Sequence, residues 1–113
     1  MSTFLGIDIG GTSTRLLMMN AAQQFYGFHK MPTASWAGTS DPLLTLAALI
    51  QTHIKAEPIT EIMLGLPGIL SADRQQVLSL PFIPKLNHQP VARLLSGALK
   101  CNALKCIKSI WFP

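Results

Sequence analysis

Two apolar runs, FLGIDI at residues 4–9 and TRLLMM at 14–19, are separated by nothing more than Gly10-Gly11-Thr12-Ser13. So short a connection joins antiparallel neighbours, because a parallel crossover takes about a dozen residues or more. The chain must open on a β-hairpin, and the two glycines are expected to supply the unusual dihedrals of its turn. Asn20-Ala21-Ala22 reads as a second turn, and the aromatic-rich QFYGFHKM at 24–31 suits a third strand. A three-stranded antiparallel meander results.

Asp41-Pro42 puts a side-chain cap and a proline where a helix begins. Leu43, Leu46, Ala47, Ile50 and Ile54 then recur at three- and four-residue spacing. This single apolar stripe predicts a helix to about Ala56, and Pro58 ends the pattern. His53 falls beside the stripe and reads as a packed or surface histidine. TEIMLG at 60–65 is a strand running into Leu66-Pro67-Gly68, so the helix is a crossover within one sheet and the order is β-β-β-α-β. QQVLSL at 75–80 is a further short strand after the Ser71-Ala72-Asp73 turn, and Pro81 and Pro84 mark a loop. A second helix starts near Pro90, with Val91, Leu94, Leu95 and Ala98 as its buried face. The fold class is α/β, without internal repeats.

At 113 residues the chain has room for one small domain. A hydrophobic fraction of 49% against 12% charged excludes a disordered chain and leaves apolar surface in search of a partner, so self-association is expected. No apolar stretch approaches the roughly 18 residues of a membrane span, and residues 1–5 are too short for a signal peptide. The reading is cytoplasmic, with no membrane partner. Cys101 and Cys106 form a lone C-x4-C pair with no second pair to complete a zinc site, and read as structural or incidental. The net charge of +4 does not imply a nucleic-acid partner. Through Leu99 the basic residues Arg15, Lys30, Lys55, Arg74, Lys85 and Arg93 nearly balance the five acids, and the excess comes from Lys100, Lys105 and Lys108. Without a clustered basic face, no nucleic acid is expected.

A glycine-rich turn between strands presents backbone N–H groups with no side chain in the way, a general means of holding phosphate oxygens. The plain alternative is an ordinary hairpin turn. Two familiar phosphate loops are excluded: there is no G-x-x-x-x-G-K-[ST], and Gly6, Gly10 and Gly11 do not satisfy G-x-G-x-x-G ahead of a helix. D-I-G-G-T between antiparallel strands does resemble the first phosphate motif of the actin-like ATPase fold, a ribonuclease H-like fold shared by sugar kinases, actin and the heat-shock ATPases. The likeness extends further. Arg15 stands where the ROK family of sugar kinases and repressors has Lys or Arg, and Met31-Pro32-Thr33 resembles that family's strand-ending Pro-Thr. GLPGILSADRQQVLSLPFIP, residues 65–84, resembles its G-x-P-G segment and sugar-side loop. Residues 1–100 are thus identified as similar to the N-terminal lobe of a ROK-type sugar kinase.

By that resemblance Asp8 faces the phosphates and organises Mg²⁺ through water. Gly10, Gly11 and Thr12 line the phosphates of ATP, with Arg15 beside them, and Gly65, Pro67 and Gly68 border the sugar. The alternative for Asp8 is a turn-capping carboxylate, and for Pro67-Gly68 a type II turn. Family members commonly carry an asparagine in the sugar-side loop, whereas Ser79-Leu80-Pro81-Phe82 offers only the Ser79 hydroxyl, which leaves the sugar open.

ROK kinases continue from the second helix into a strand and an Asn-Asp-x-Asn segment, whose aspartate takes the proton of the sugar hydroxyl. Here the sequence reads CNALKCIKSIWFP, with neither Asp nor Glu after Leu99, so no catalytic residue is assigned. Residues 101–113 are expected to form a short tail without family resemblance, through a frameshift or because the sequence is a fragment. Residues 107–112 have the composition to add a strand. The adenine-binding lobe and the family's zinc cluster would lie beyond residue 113. The expected function is that of a truncated lobe of an ATP-dependent hexose or N-acetylhexosamine kinase, inactive alone, with sugar and nucleotide as ligands of the parent family. One alternative is a sugar-responsive transcriptional regulator of the same family, for whose helix-turn-helix the residues ahead of Gly6 leave no room. The other is a non-catalytic association module.

Overall fold

Strand β1 (Thr3–Ile9) sends its side chains alternately to two faces, with Thr3, Leu5, Ile7 and Ile9 buried and Phe4, Gly6 and Asp8 half-buried opposite. Its antiparallel partner β2 (Ser13–Asn20) buries Thr14, Leu16 and Met18 on the same side, in the register Ile9↔Thr14, Ile7↔Leu16 and Leu5↔Met18. A slip of one residue would expose all of these, so the alternation itself fixes the hairpin. The computed structural model describes residues 3–54, 59–66, 68–72, 76–80, 82–99 and 107–109. Strand β3 (Phe25–Pro32) completes the meander, with a bulge opposite Leu16 to Met18. The turn before it is built by Asn20, whose Oδ1 accepts from the N–H groups of Ala22 and Gln24 at 3.0 Å each.

The chain then makes a short helix α1 (Ala34–Ala37), helix α2 (Pro42–Ile54) and strand β4 (Glu61–Leu66). Strands β5 (Ile69–Leu70) and β6 (Val77–Ser79), a 3-10 turn at Pro84–Leu86, helix α3 (Val91–Ala98) and strand β7 (Ile107–Ser109) follow. The main sheet has the order β3-β2-β1-β4-β7. Strand β4 runs parallel to β1, as a helical crossover requires, and β7 runs parallel to β4. The core is one-sided: Leu5, Ile7, Leu16, Ile62 and Leu64 of the sheet meet the stripe Leu43, Leu46, Ala47, Ile50 and Ile54 of α2 in one cluster. Asp41 caps α2 as the sequence implies, its Oδ1 accepting from the Leu44 N–H at 3.3 Å. His53 is packed, stacked on His29 with ring centroids 4.4 Å apart and bonded through Nε2 to the Gly27 carbonyl at 2.7 Å.

Helix α2 is described as far as Ile54, and its expected end near Ala56 lies outside the described residues. Other expectations need correction. Leu94 was placed on the buried face of α3 but is 43% exposed. That helix buries Val91, Leu95 and Ser96, so its inward line runs one position past Leu94. The short strand expected at 75–80 is β6, and it leaves the main sheet to pair antiparallel with β5, an element the sequence did not announce. The composition of 107–112 does yield a strand, over Ile107–Ser109, paired with Leu64 to Leu66. Cys101 and Cys106 lie outside the described residues. No helix among the described residues is long and apolar enough to cross a membrane.

Candidate functional site

Asp8 occupies a junction. It lies opposite Arg15 in the antiparallel register of β1 with β2 and opposite Gly65 in the parallel register of β1 with β4. The first glycine turn and the G-x-P-G segment thus emerge side by side at the carboxyl ends of two parallel strands, where open α/β sheets place their ligands.

The turn is held from within. The Gly10 N–H donates to the Ser13 carbonyl at 2.8 Å. Thr33, at the end of β3, grips the other side twice: its N–H donates to the Thr12 carbonyl at 2.9 Å, and its hydroxyl donates to the Gly10 carbonyl at 2.7 Å. Behind it, the hydroxyls of Thr14 and Thr33 are 3.0 Å apart, and the Trp36 indole N–H donates to Thr14 Oγ1 at 3.0 Å. Thr14, Thr33 and Trp36 are all buried, so these groups find their partners in one another.

The reason for glycine here differs from the one the sequence suggested. Neither Gly10 nor Gly11 has a left-handed φ. What they supply is room. A Cβ on Gly10 would lie 2.9 Å from the Ser13 carbonyl oxygen, and one on Gly11 would lie 3.0–3.2 Å from ring atoms of Phe82. Gly11 and Thr12 are exposed at the crest of the turn.

The charges around the turn are mixed but mostly positive. Arg15 Nη1 is 3.4 Å from Asp8 Oδ2, with both side chains nearly half in solvent, so the pair orients more than it stabilises. Lys30 lies across from Arg15 on β3, and with Thr12, Ser13, Met31 and Pro32 it lines a cavity of about 280 Å³. Among the described residues no group of three or more His, Cys, Asp or Glu converges on a metal position. A single half-solvated carboxylate beside phosphate-sized backbone donors does suit Mg²⁺, which keeps most of its waters and takes its other ligands from the phosphates.

On the facing side, Gly65 is buried within β4, and Pro67 lies outside the described residues. Gly68 permits a close backbone approach: a Cβ there would come within 2.6 Å of the Ser79 carbonyl oxygen and 3.1 Å of Leu80. Ser79 is half-buried in β6 opposite Ile69. The residue of this segment that reaches the turn is Phe82, which is 58% exposed with its ring against Gly11. It forms one wall of a cleft of about 510 Å³ that also takes in Gly11, Thr33, Gly38 and Lys85. Lys85 Nζ donates to the Thr39 carbonyl at 2.8 Å and ties this loop to the end of α1. Sequence reasoning missed Phe82, Lys30 and the roles of the Thr33 hydroxyl and Trp36. The available signals were the Pro-Thr that ends β3 and an aromatic residue set between Pro81 and Pro84.

With the turn and its facing loop located, comparison with known proteins is decisive at the level of family. The sequence model of the ROK family matches residues 4–105. The chain belongs to the ROK family. Among solved structures it is similar to a protein from Cytophaga hutchinsonii ATCC 33406 provisionally named a sugar kinase, with 25% identity, TM-score 0.75, and coverage of 96% of this chain and 36% of that one. The ROK hexokinase of Thermus thermophilus aligns with 22% identity and TM-score 0.71, over 95% of this chain and 35% of that one. A ROK family glucokinase from Streptomyces griseus, solved with glucose and AMPPNP, aligns with 17% identity and TM-score 0.69, over 96% and 32% respectively. This ROK chain therefore spans about a third of the length of these structures. No curated protein sequence matches it. The fold is that of the N-terminal lobe of the actin-like ROK kinases, as the motifs implied.

Proposed function

We propose that this ROK chain is the phosphate-binding lobe of an ATP-dependent hexose or N-acetylhexosamine kinase. The observation that carries the reading is the Gly10–Thr12 turn, clamped from beneath by Thr33 and ringed by Asp8, Arg15 and Lys30. Gly10, Gly11 and Thr12 line the phosphates, with the Gly11 and Thr12 N–H groups as donors because the Gly10 N–H is already given to the Ser13 carbonyl, and Arg15, joined by Lys30, offsets the phosphate charge. Asp8 would hold Mg²⁺ through water. When bound, that ion neutralises charge on the transferred phosphoryl group. Gly65, Pro67, Gly68 and Ser79 border the sugar, and Phe82 closes the gap between the sugar loop and the turn. Residues 1–100 make up the lobe in this reading, and 101–113 a tail that adds strand β7 to the edge of its sheet. A carboxylate and two cations around a glycine turn suit a metal-bound polyphosphate better than the DNA-directed role of a regulator.

Calorimetry with ATP and Mg²⁺ tests this reading. Gly11→Val is expected to abolish binding, because its branched side chain meets the Phe82 ring and covers the backbone donors. Phe82→Ala, which adds no bulk at the turn, is expected to keep it. A wild-type chain that does not bind, or a Gly11→Val variant that binds as well as wild type, would sink the assignment.

Self-association belongs to the same reading. The sheet face opposite the helices shows Phe4, Leu17, Met19, Phe25 and Met63 around a cavity of about 600 Å³, and Phe25 is 68% exposed. An apolar patch of this kind seeks cover. Sedimentation should show dimers or larger species at high concentration, and Leu17→Glu with Met63→Lys should return the chain to monomer. A wild-type chain that stays monomeric throughout would contradict the expectation.

A further inference from the structure

The buried polar groups under the turn carry a direction as well as a set of distances. A threonine hydroxyl has one proton to give. The Thr33 hydroxyl is 2.7 Å from the Gly10 carbonyl, which only accepts, so its proton is spent there. The 3.0 Å contact between the two hydroxyls must then be Thr14 donating to Thr33. Thr14 in turn accepts from the Trp36 indole N–H, which only donates. The result is a one-way chain from Trp36 through Thr14 and Thr33 to the Gly10 carbonyl, and chains of aligned donors strengthen one another in a dry interior.

We infer that Thr33 is a positioning residue that sets the Gly10–Gly11 peptide, and through it the Gly11 N–H, for an incoming phosphate oxygen. In a planar trans peptide the carbonyl and the following N–H point in opposite directions. Thr33, buried at 2% exposure, draws the Gly10 carbonyl inward, so the Gly11 N–H points outward at an exposed residue. Among the described residues it has no backbone partner. The second grip, from the Thr33 N–H to the Thr12 carbonyl, holds the Thr12–Ser13 peptide at the far end of the turn. Donation into the Gly10 carbonyl also polarises that peptide and makes its N–H a better donor. The orientation stands on the hydrogen bonds alone, whereas its use toward phosphate rests on the phosphate-turn reading given above.

The test uses the nitrogen-15-labelled chain and compares wild type with Thr33→Val and Thr33→Ser. Without ligand, the Gly11 amide and Trp36 indole resonances should move in Thr33→Val and return in Thr33→Ser. A folded Thr33→Val with both resonances at their wild-type positions, or a Thr33→Ser displaced as far as Thr33→Val, overturns the inference. Should Thr33→Val fail to fold, Trp36→Phe decides: it removes the first donor while keeping most of the ring volume, and an unmoved Gly11 amide would overturn the inference. Titration with inorganic tripolyphosphate is the second arm. The Gly11 amide should shift to saturation in wild type and Thr33→Ser, and at about tenfold higher concentration in Thr33→Val, the worth of roughly one hydrogen bond. Equal affinity in Thr33→Val overturns the inference while sparing the phosphate reading. A wild-type Gly11 amide that ignores tripolyphosphate removes the phosphate reading and leaves the peptide orientation to the first arm.

Discussion

The 113-residue chain is expected to release no sugar-dependent ADP above background with glucose, mannose, N-acetylglucosamine or N-acetylmannosamine, even where it binds nucleotide. A positioned base contributes about 10²–10⁴-fold to such a transfer, and none of the three acids among the described residues is placed to act as one. Asp8 pairs with Arg15 at the turn, Asp41 caps α2, and Glu61 is at the amino-terminal end of β4, far along the strand from the turn. Glu57 and Asp73 fall outside the described residues, at positions the sequence assigns to a helix end and a turn. Orientation adds to the deficit, because among the described residues only Gly65, Gly68 and Ser79 are proposed to border the sugar, and misplacement by about 1 Å costs ~10²-fold. The two losses multiply to about 10⁴–10⁶-fold. A coupled ADP assay checks it. Sugar-dependent turnover that vanishes in Asp8→Ala would show that this lobe holds a complete active site.

How much of this could be read beforehand depends on the kind of interaction. The hairpin, the meander and helix α2 follow from local patterns: alternation in FLGIDI and TRLLMM, and the 3.6-residue stripe from Leu43 to Ile54. The cap at Asp41 is equally local. Leu94 falls outside the buried face because five apolar positions in a helix of eight residues leave the buried arc uncertain by one residue, and it is Leu95 that turns inward where α3 meets α2. Strand β5 has only two residues and no periodicity to detect. At the site, Asp8 and the glycines were visible because a turn motif is contiguous. The roles of Phe82 and Thr33 were not: the Pro-Thr that ends β3 and the aromatic residue between Pro81 and Pro84 are in plain view, but nothing beside either one names the turn as its partner, since each meets it from far along the chain. The role assigned to the glycines failed for a related reason: the space they leave is defined by Ser13 and Phe82, not by their own dihedrals.

Trp36→Ala should be among the most destabilising single changes in the chain, and its cause ties the core to the turn. Trp36 is fully buried although it stands on α1, a helix of four residues with little stability of its own. That helix is held by its surroundings. It packs against α2 and β3, the Thr39 hydroxyl donates to the Trp36 carbonyl at 2.7 Å, and the indole N–H reaches Thr14. Removing the ring leaves a cavity and deprives Thr14 of its donor. The expected loss is about 3–5 kcal/mol, a large part of the about 5–15 kcal/mol typical of a whole domain. Trp36→Phe, which keeps most of the volume and loses the hydrogen bond, should cost about 1 kcal/mol. Leu94→Ala on the exposed side of α3 should change stability by no more than about 0.5 kcal/mol. Urea unfolding of the three variants gives the comparison. If Trp36→Ala cost no more than Leu94→Ala, α1 would be a detachable flap, and Thr33, which begins it, would have no rigid base from which to hold the Gly10 carbonyl.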